Sequence, residues 1–456
     1  MAKKKQIELT IEEKLRNALV PKEEQPYKIP SNWCWSYWKY CGKFIAGNGF
    51  KNIYQGFTQY DIPYYKVGSL KFCDEGNYLI DETNTINEEI RTKLKAVKIP
   101  VNSIIFAKIG EAIKLNRRCL NKIECCIDNN LMAFISEKYF YKYIFYWTKS
   151  LNFYELTNAT TVPALRKTDL ENIPIPLPPL NEQQRIVNII ESLFVKLDRA
   201  KELIENTLAQ FEQNKMAILH KAFTGELTVK WRKENNIDLS SWQEKTIDEL
   251  CTSLKYGTSK KSNPEGSVVV LRMGNLQNGE IDWSNLMYTD DKDDIEKYLL
   301  KKGDVLFNRT NSPELVGKTS IYRGEYPAIY AGYLIKLDYG KDIIGEYLNY
   351  IMNSTKAKHY CYTVKTDGVS QSNINAKKIG AFEIPVPTIE EQQEIVNILD
   401  KLLAKYNKIK NLEQQLEKIE LLKKAILAKA FRGELGTNNP DEESAENLLK
   451  EILAEK

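Results

Sequence analysis

A chain of 456 residues, 28% charged and 43% hydrophobic, is too long for one compact core and has the make-up of a soluble protein of two or three domains. No run approaches the roughly 18 apolar residues of a membrane span, and the start MAKKKQIELTIEEKL lacks the apolar stretch of a signal peptide. The eight cysteines are scattered with no CxxC pair, which offers no zinc set and fits reduced thiols in a cytoplasm.

Residues 1–24 read as an N-terminal arm with a short helix. The stretch 25–180 is a first front of mixed α+β character, with 20 basic and 14 acidic side chains. Its short runs KVGSLKF (66–72) and NSIIFAKI (102–109) are rich in strand formers and broken by Gly and Asn, and YKYIFYWTKS (141–150) has helical spacing. After the prolines of IPLPPL, a long helix is expected from Asn181, because proline cannot lie inside it. Its apolar residues step 4-3-4-3 through Ile186, Ile190, Leu193, Leu197, Ala200, Ile204, Thr207 and Phe211, a heptad pattern. Gly225 is the expected cap, and this central region runs 181–236.

The second front, 237–389, repeats the plan. SVVVLRM and KGDVLFNRT read as strands, and IGEYLNYIMNS as a helix. Over 237–388 there are 19 basic and 20 acidic side chains, so a nucleic-acid face here would have to be one-sided. A second long helix is expected over 390–435, with the stripe Ile395, Leu399, Leu402, Tyr406 and Ile409 slipping to Leu412, Leu416 and Ile419, and with Gly433 as its cap. The remainder, 436–456, is a tail with a short helix after Pro440.

The chain is one unit used twice. PLPPLNEQQRIVNII from Pro176 matches PVPTIEEQQEIVNIL from Pro385 at an offset of 209, which also joins Trp33 to Trp242, Thr157 to Thr366, Leu165 to Ile374 and Leu170 to Ile379. KAFTGEL (221–227) matches KAFRGEL (429–435) at 208, so one residue is missing from the second helix. A period of this length means two domains, not a solenoid. The two helices can pair with each other, antiparallel, as an intramolecular coiled coil.

Catalytic constellations are missing. The chain has two histidines, His220 and His359, and neither has a partner motif. There is no GxxxxGK[ST] phosphate loop, no Rossmann glycine turn and no Asn/Asp-Pro-Pro-aromatic run of an amino-methyltransferase. DDIEK in a chain so rich in Lys and Glu reads as solvated surface. The fronts instead carry basic, aromatic and amide side chains on loops: AKIG (107–110), SLKYGTSKK (253–261), NRTN (308–311) and GVSQSNIN (368–375). Arg and Lys can read guanine edges, Asn and Gln adenine edges, and hydroxyls suit phosphates.

The duplicated IPLPPLNEQQRIVNII block, the long helix and HKAFTGELTVKWRKEN resemble the specificity subunits of type I restriction–modification systems over nearly the whole chain. The resemblance implies two target recognition domains reading a bipartite, asymmetric double-stranded DNA sequence, joined by an antiparallel coiled coil that acts as a ruler. It implies no catalytic residue, no metal and no cofactor in this chain. S-adenosylmethionine, ATP and Mg are expected in partner subunits: two modification (adenine methyltransferase) subunits and ATP-driven restriction subunits. The residues then expected at DNA are Lys66, Lys108, Thr160, Thr161, Arg166, Lys255, Tyr256, Thr258, Lys260, Arg272, Asn308, Arg309, Thr310, Ser370, Gln371 and Asn373. Two rival readings are a self-contained DNA-modifying enzyme, against which the missing motifs count, and a coiled-coil scaffold without DNA contact.

Overall fold

The computed structural model describes residues 9–157, 162–404 and 409–455, with the backbone alone for 409–411. They form two units: residues up to Glu202 together with Gln415 onward, and Leu203–Gln414. Each unit has its own buried core.

The duplication extends to strand order. In the first unit a four-stranded antiparallel sheet runs Gly42–Ala46, Leu131–Ser136, Ile104–Ala107, Arg118–Leu120. Beside it in sequence, Ile62–Tyr65 pairs antiparallel with Thr85–Ile86 and parallel with Cys126–Ile127. The second unit repeats both sheets. Its four strands run Cys251–Tyr256, Leu334–Tyr339, Val305–Asn308, Thr319–Ile321. Its three-stranded sheet places Val268–Leu271 between antiparallel Tyr288–Thr289 and parallel Ala328–Tyr330. The helices Tyr141–Ser150 and Gly345–Met352 lie where the spacing predicts them.

KVGSLKF is not a strand. Val67–Lys71 is a 3-10 turn, closed because the Ser69 hydroxyl accepts the Lys66 N–H at 3.0 Å. The second unit builds the same turn at Met273–Asn275, where the Asn275 side chain accepts the Arg272 N–H at 2.9 Å. A side chain three residues on competes with sheet pairing for the backbone donor. DDIEK is a helix start: Asp291 caps Lys292–Tyr298 by accepting the Asp294 N–H.

The long helix spans Leu180–Phe223, 44 residues and about 66 Å at 1.5 Å per residue. It begins one residue before Asn181. The returning helix is described over Ile389–Ala404 and Ile409–Phe431. In the first unit the two run antiparallel: Lys201 meets Glu420 at 3.2 Å, and Asp198 meets Lys423. Ile186 and Ile190 are fully buried with Leu427, Ala430 and Phe431, while Leu193, Leu197 and Leu416 are half-buried. In the second unit Leu219 and Ala222 pack with Ile395, Val396 and Leu399, and Ile204, Phe211 and Leu402 are half-buried. Half-burial is what two helices alone provide; full burial appears where a globular core closes over the seam. Tyr406 lies outside the described residues, as does the side chain of Ile409. Gly225 and Gly433 stand just past the helix ends at φ +80° and +74°, a conformation that favours glycine.

The hinge of each unit is one device built twice. The strand Pro174–Leu177 pairs antiparallel with Cys34–Tyr37, and Glu383–Val386 with Gln243–Thr246, in the same register. Each pair is an isolated two-stranded ribbon, where prolines that lack an N–H are tolerated. The Trp33 indole N–H donates to Glu182 at 2.8 Å, and that of Trp242 to Glu391 at 2.9 Å. Both carboxylates are fully buried in the first turn of their helices, where the helix dipole favours negative charge. The next residue ties in the front. Gln183 donates to the Pro178 carbonyl and accepts the Phe140 N–H; Gln392 donates to Pro387 and accepts the Ile344 N–H. Tyr143 and Tyr347 donate to the carbonyls of Pro176 and Pro385. Trp33 is a core residue, as expected; Trp242 is only half-buried.

The tail completes the first hinge. Thr437 and Asn438 donate to Glu182 at 3.1 and 3.0 Å, as Thr228 and Arg232 donate to Glu391, both at 2.6 Å. The helix Ala445–Ala454 then buries Leu449, Ile452 and Leu453 in the first core, beside Leu15 and Ala18 of the N-terminal helix Ile11–Ala18.

Candidate nucleic-acid interface

In the second unit the fold gathers several of the expected DNA residues at one place. The strand Val305–Asn308 ends at Arg309, and Thr310–Asn311 then pairs with Ser372–Asn373, itself one arm of a hairpin with Thr366–Asp367. The Arg309 guanidinium lies over the Tyr256 ring at 4.8 Å and donates to Asn373 at 3.0 Å and to the Gly332 carbonyl at 3.3 Å. The Asn373 amide donates in turn to the Thr310 hydroxyl at 2.7 Å. Ser370 and Gln371 lie on the exposed turn of the hairpin. Tyr256, Arg309, Ser370, Gln371 and Asn373 therefore belong to one surface feature, to which the buried Thr310 is tied through Asn373.

Other expected residues stand apart. Asn308 is fully buried and donates to the Met273 carbonyl, and Thr258, 5% exposed, donates its hydroxyl to Asp294. Both point into the fold, which corrects their assignment as DNA contacts: the strand end and the turn after Gly257 face the interior there. Gly257 must be glycine, since a Cβ would meet the Tyr330 carbonyl oxygen at 2.1 Å. Thr310 is 8% exposed, so its hydroxyl serves Asn373 instead of solvent. Lys255 and Lys260 are exposed but paired, with Asp338 at 3.1 Å and Asp291 at 2.7 Å. The Lys260 hydrogen bond raises the ammonium's pKa and lowers that of Asp291. Arg272 is half-buried and donates to the Asn285 carbonyl at 2.7 Å.

The first unit has the matching frame. Leu165 N–H donates to the Lys108 carbonyl as Ile374 N–H donates to that of Arg309, so Lys108 and Arg309 are structural equivalents. Lys66, equivalent to Arg272 at the 3-10 turn, is half-buried and donates to Gln55 at 2.8 Å. Arg166 is exposed ahead of the short helix Lys167–Glu171. Thr160 and Thr161 lie outside the described residues. Among the described residues no group of three or more His, Cys, Asp or Glu side chains could hold a metal ion, and no helix is long and apolar enough to cross a membrane.

Sequence reading missed the residues that hold the fronts in place. Glu182 and Glu391 sit inside the repeated NEQQ and EEQQ blocks, and their indole partners share the offset of 209. The tail donor carried no such signal: Thr437 stands 209 residues after Thr228, whereas KAFTGEL and KAFRGEL just before them match at 208.

Two copies of one mixed α+β fold, each with polar loops and each clamped to a segment of a paired long helix, define a protein of two equivalent modules. The family model for the type I restriction modification DNA specificity domain matches residues 52–212 and again 240–421, and the chain belongs to that family. It is 29% identical over 315 residues to the type I restriction enzyme EcoKI specificity subunit of Escherichia coli strain K12, covering 66% of this chain and 68% of that protein. It is 29% identical over 335 residues to the StySPI specificity subunit of Salmonella potsdam, covering 69% and 71%. A chain from a solved structure on complex assembly and conformational transition of the type I R-M system shares the fold at a TM-score of 0.64 and 19% identity, over 90% of this chain and all of that one.

Proposed function

We propose that this chain is the DNA-reading subunit of a type I restriction–modification complex, each front recognising one half of a bipartite, asymmetric target. The observation that carries this is the twofold match to the specificity-domain model on two units with separate cores and identical strand order. The helical pair is the ruler: two readers on a stiff spacer bind both half-sites at a fixed gap, and each raises the effective concentration of the other. The chain has no catalysis of its own. Two modification subunits supply S-adenosylmethionine and adenine methylation, restriction subunits supply ATP- and Mg-dependent cleavage, and the complex works in the cytoplasm.

Incubation with labelled methyl donor and DNA tests the assignment. The isolated chain is expected to give no incorporation, and the chain with its modification subunits incorporation at one bipartite sequence. DNA retention by that complex should fall steeply with salt, as phosphate contacts release counterions. Incorporation by the isolated chain would revive the self-contained enzyme. Methylation that ignores sequence would leave only a scaffold.

A further inference from the structure

The hairpin Thr366–Asn373 in the second unit is built unlike the loops around it. Its base is pinned from several directions. Asn373 bridges Arg309 and Thr310. Asp367 accepts from Lys365 and from the Ser372 hydroxyl, bonds that hold its carboxyl below the usual range. Lys378 donates to the Val364 carbonyl at 2.6 Å and the Thr366 hydroxyl at 2.7 Å. At the tip the Gly368 N–H donates to the Gln371 carbonyl at 2.8 Å, and the side chains of Val369 and Gln371 make no such ties. Residues 366–371 are six consecutive exposed positions, and Val369 is as open as a side chain can be at 110% relative exposure. The charge around it is one-sided: residues 355–380 hold five lysines and one aspartate, within a front of 19 basic and 20 acidic side chains.

Resting on the reading of this chain as a DNA-specificity subunit, we propose that the turn Gly368–Gln371 reads bases of one half-site in the major groove, and that Arg309 is a positioning residue holding that turn, not a base reader. The major groove admits a two-stranded ribbon. There Gln371 can pair with an adenine edge, Ser370 can donate or accept, and Val369 can meet a thymine methyl. Arg309 already turns one N–H of each terminal nitrogen inward, to Gly332 and Asn373, and lays its face on Tyr256.

The test uses the full complex with its modification subunits and genome-wide mapping of methylated adenines. Val369→Ala and Gln371→Ala leave the fold intact, because neither side chain makes a bond within it. Each should relax one base position in one half-site, lowering discrimination there by about 5- to 150-fold, with the other half-site and the gap unchanged. Arg309→Ala and Asn373→Ala should both slow methylation of an unchanged sequence, with the double variant no worse than the stronger single one because they serve one latch; Arg309→Lys should recover part of the rate. An unaltered target in both tip variants would overturn the proposal, as would a base position relaxed by Arg309→Ala but not by Asn373→Ala. Failure of the unaltered complex to methylate any bipartite sequence would remove the functional reading beneath it.

Discussion

Glu391→Ala is expected to destabilise the unit spanning residues 203–414 by about 3–5 kcal/mol, the cost of leaving a buried charge without its partner. The Arg232 and Glu391 side chains are 8% and 0% exposed and meet at 2.6 Å. Removing the carboxylate strands that guanidinium and takes the acceptor from the Trp242 indole and the Thr228 hydroxyl. The equivalent change at Glu182 should cost less, about 1–3 kcal/mol, because its donors are the neutral groups of Trp33, Thr437 and Asn438. Hydrogen exchange resolved by segment in the two variants checks the order. Equal losses, or a larger loss from Glu182→Ala, would mean that the buried ion pair is not what holds the second hinge. Replacing Arg232 and Glu391 together by methionine should restore most of the stability, since no charge is then left alone.

Leu449→Ala is expected to cost the first unit about 2–5 kcal/mol while leaving the second unchanged. Leu449 is fully buried, 434 positions after Leu15 in the same core. The tail is held by more than apolar contact. The Ala445 N–H donates to the Asn32 carbonyl, and Arg185 grips Glu442 through two bonds of 2.6 and 2.8 Å. Those bonds from Arg185 lower the Glu442 pKa against a smaller opposing effect of burial. A carboxyl lowered on folding stabilises above its unfolded pKa, so this clasp weakens as pH falls through the carboxylate range. Exchange protection lost around Ile11–Ala18 and the first hinge, with residues 237–389 unaffected, is the expected pattern; uniform loss across both units would contradict it.

The parts of the molecule legible in the sequence are those that must be made twice from the same atoms. An indole on a buried carboxylate, a glutamine amide on a proline carbonyl and a ribbon that avoids proline N–H groups leave little freedom, so Trp, Glu, Gln and Pro recur at one offset. Helices with a period-seven stripe were legible for a similar reason: the seam repeats its demand every turn or two. What the sequence hid depends on side chains competing for backbone. KVGSLKF has strand formers, but the Ser69 hydroxyl takes the Lys66 N–H and turns the chain. Asn308 and Thr258 look like surface polar groups, yet the Met273 carbonyl and the buried Asp294 carboxylate each take their donor from them. The tail was the least legible element: its helix packs on an arm more than 400 residues away, and Thr437 stands one residue off the spacing of the repeat just before it.

The central claim is that two units, each with its own core, each read their own half of the target. Replacing residues 25–180 by the corresponding front of a related specificity subunit, joined at the Pro-rich hinge before Asn181, tests it most directly. The methylated adenines of cells carrying the hybrid complex are then mapped. One half-site should change to that of the donor, while the other half-site and the gap between them stay as they were, because each unit closes its own core and sites without shared partners contribute nearly additively. If both halves of the recognised sequence changed together, the two units would not be independent readers.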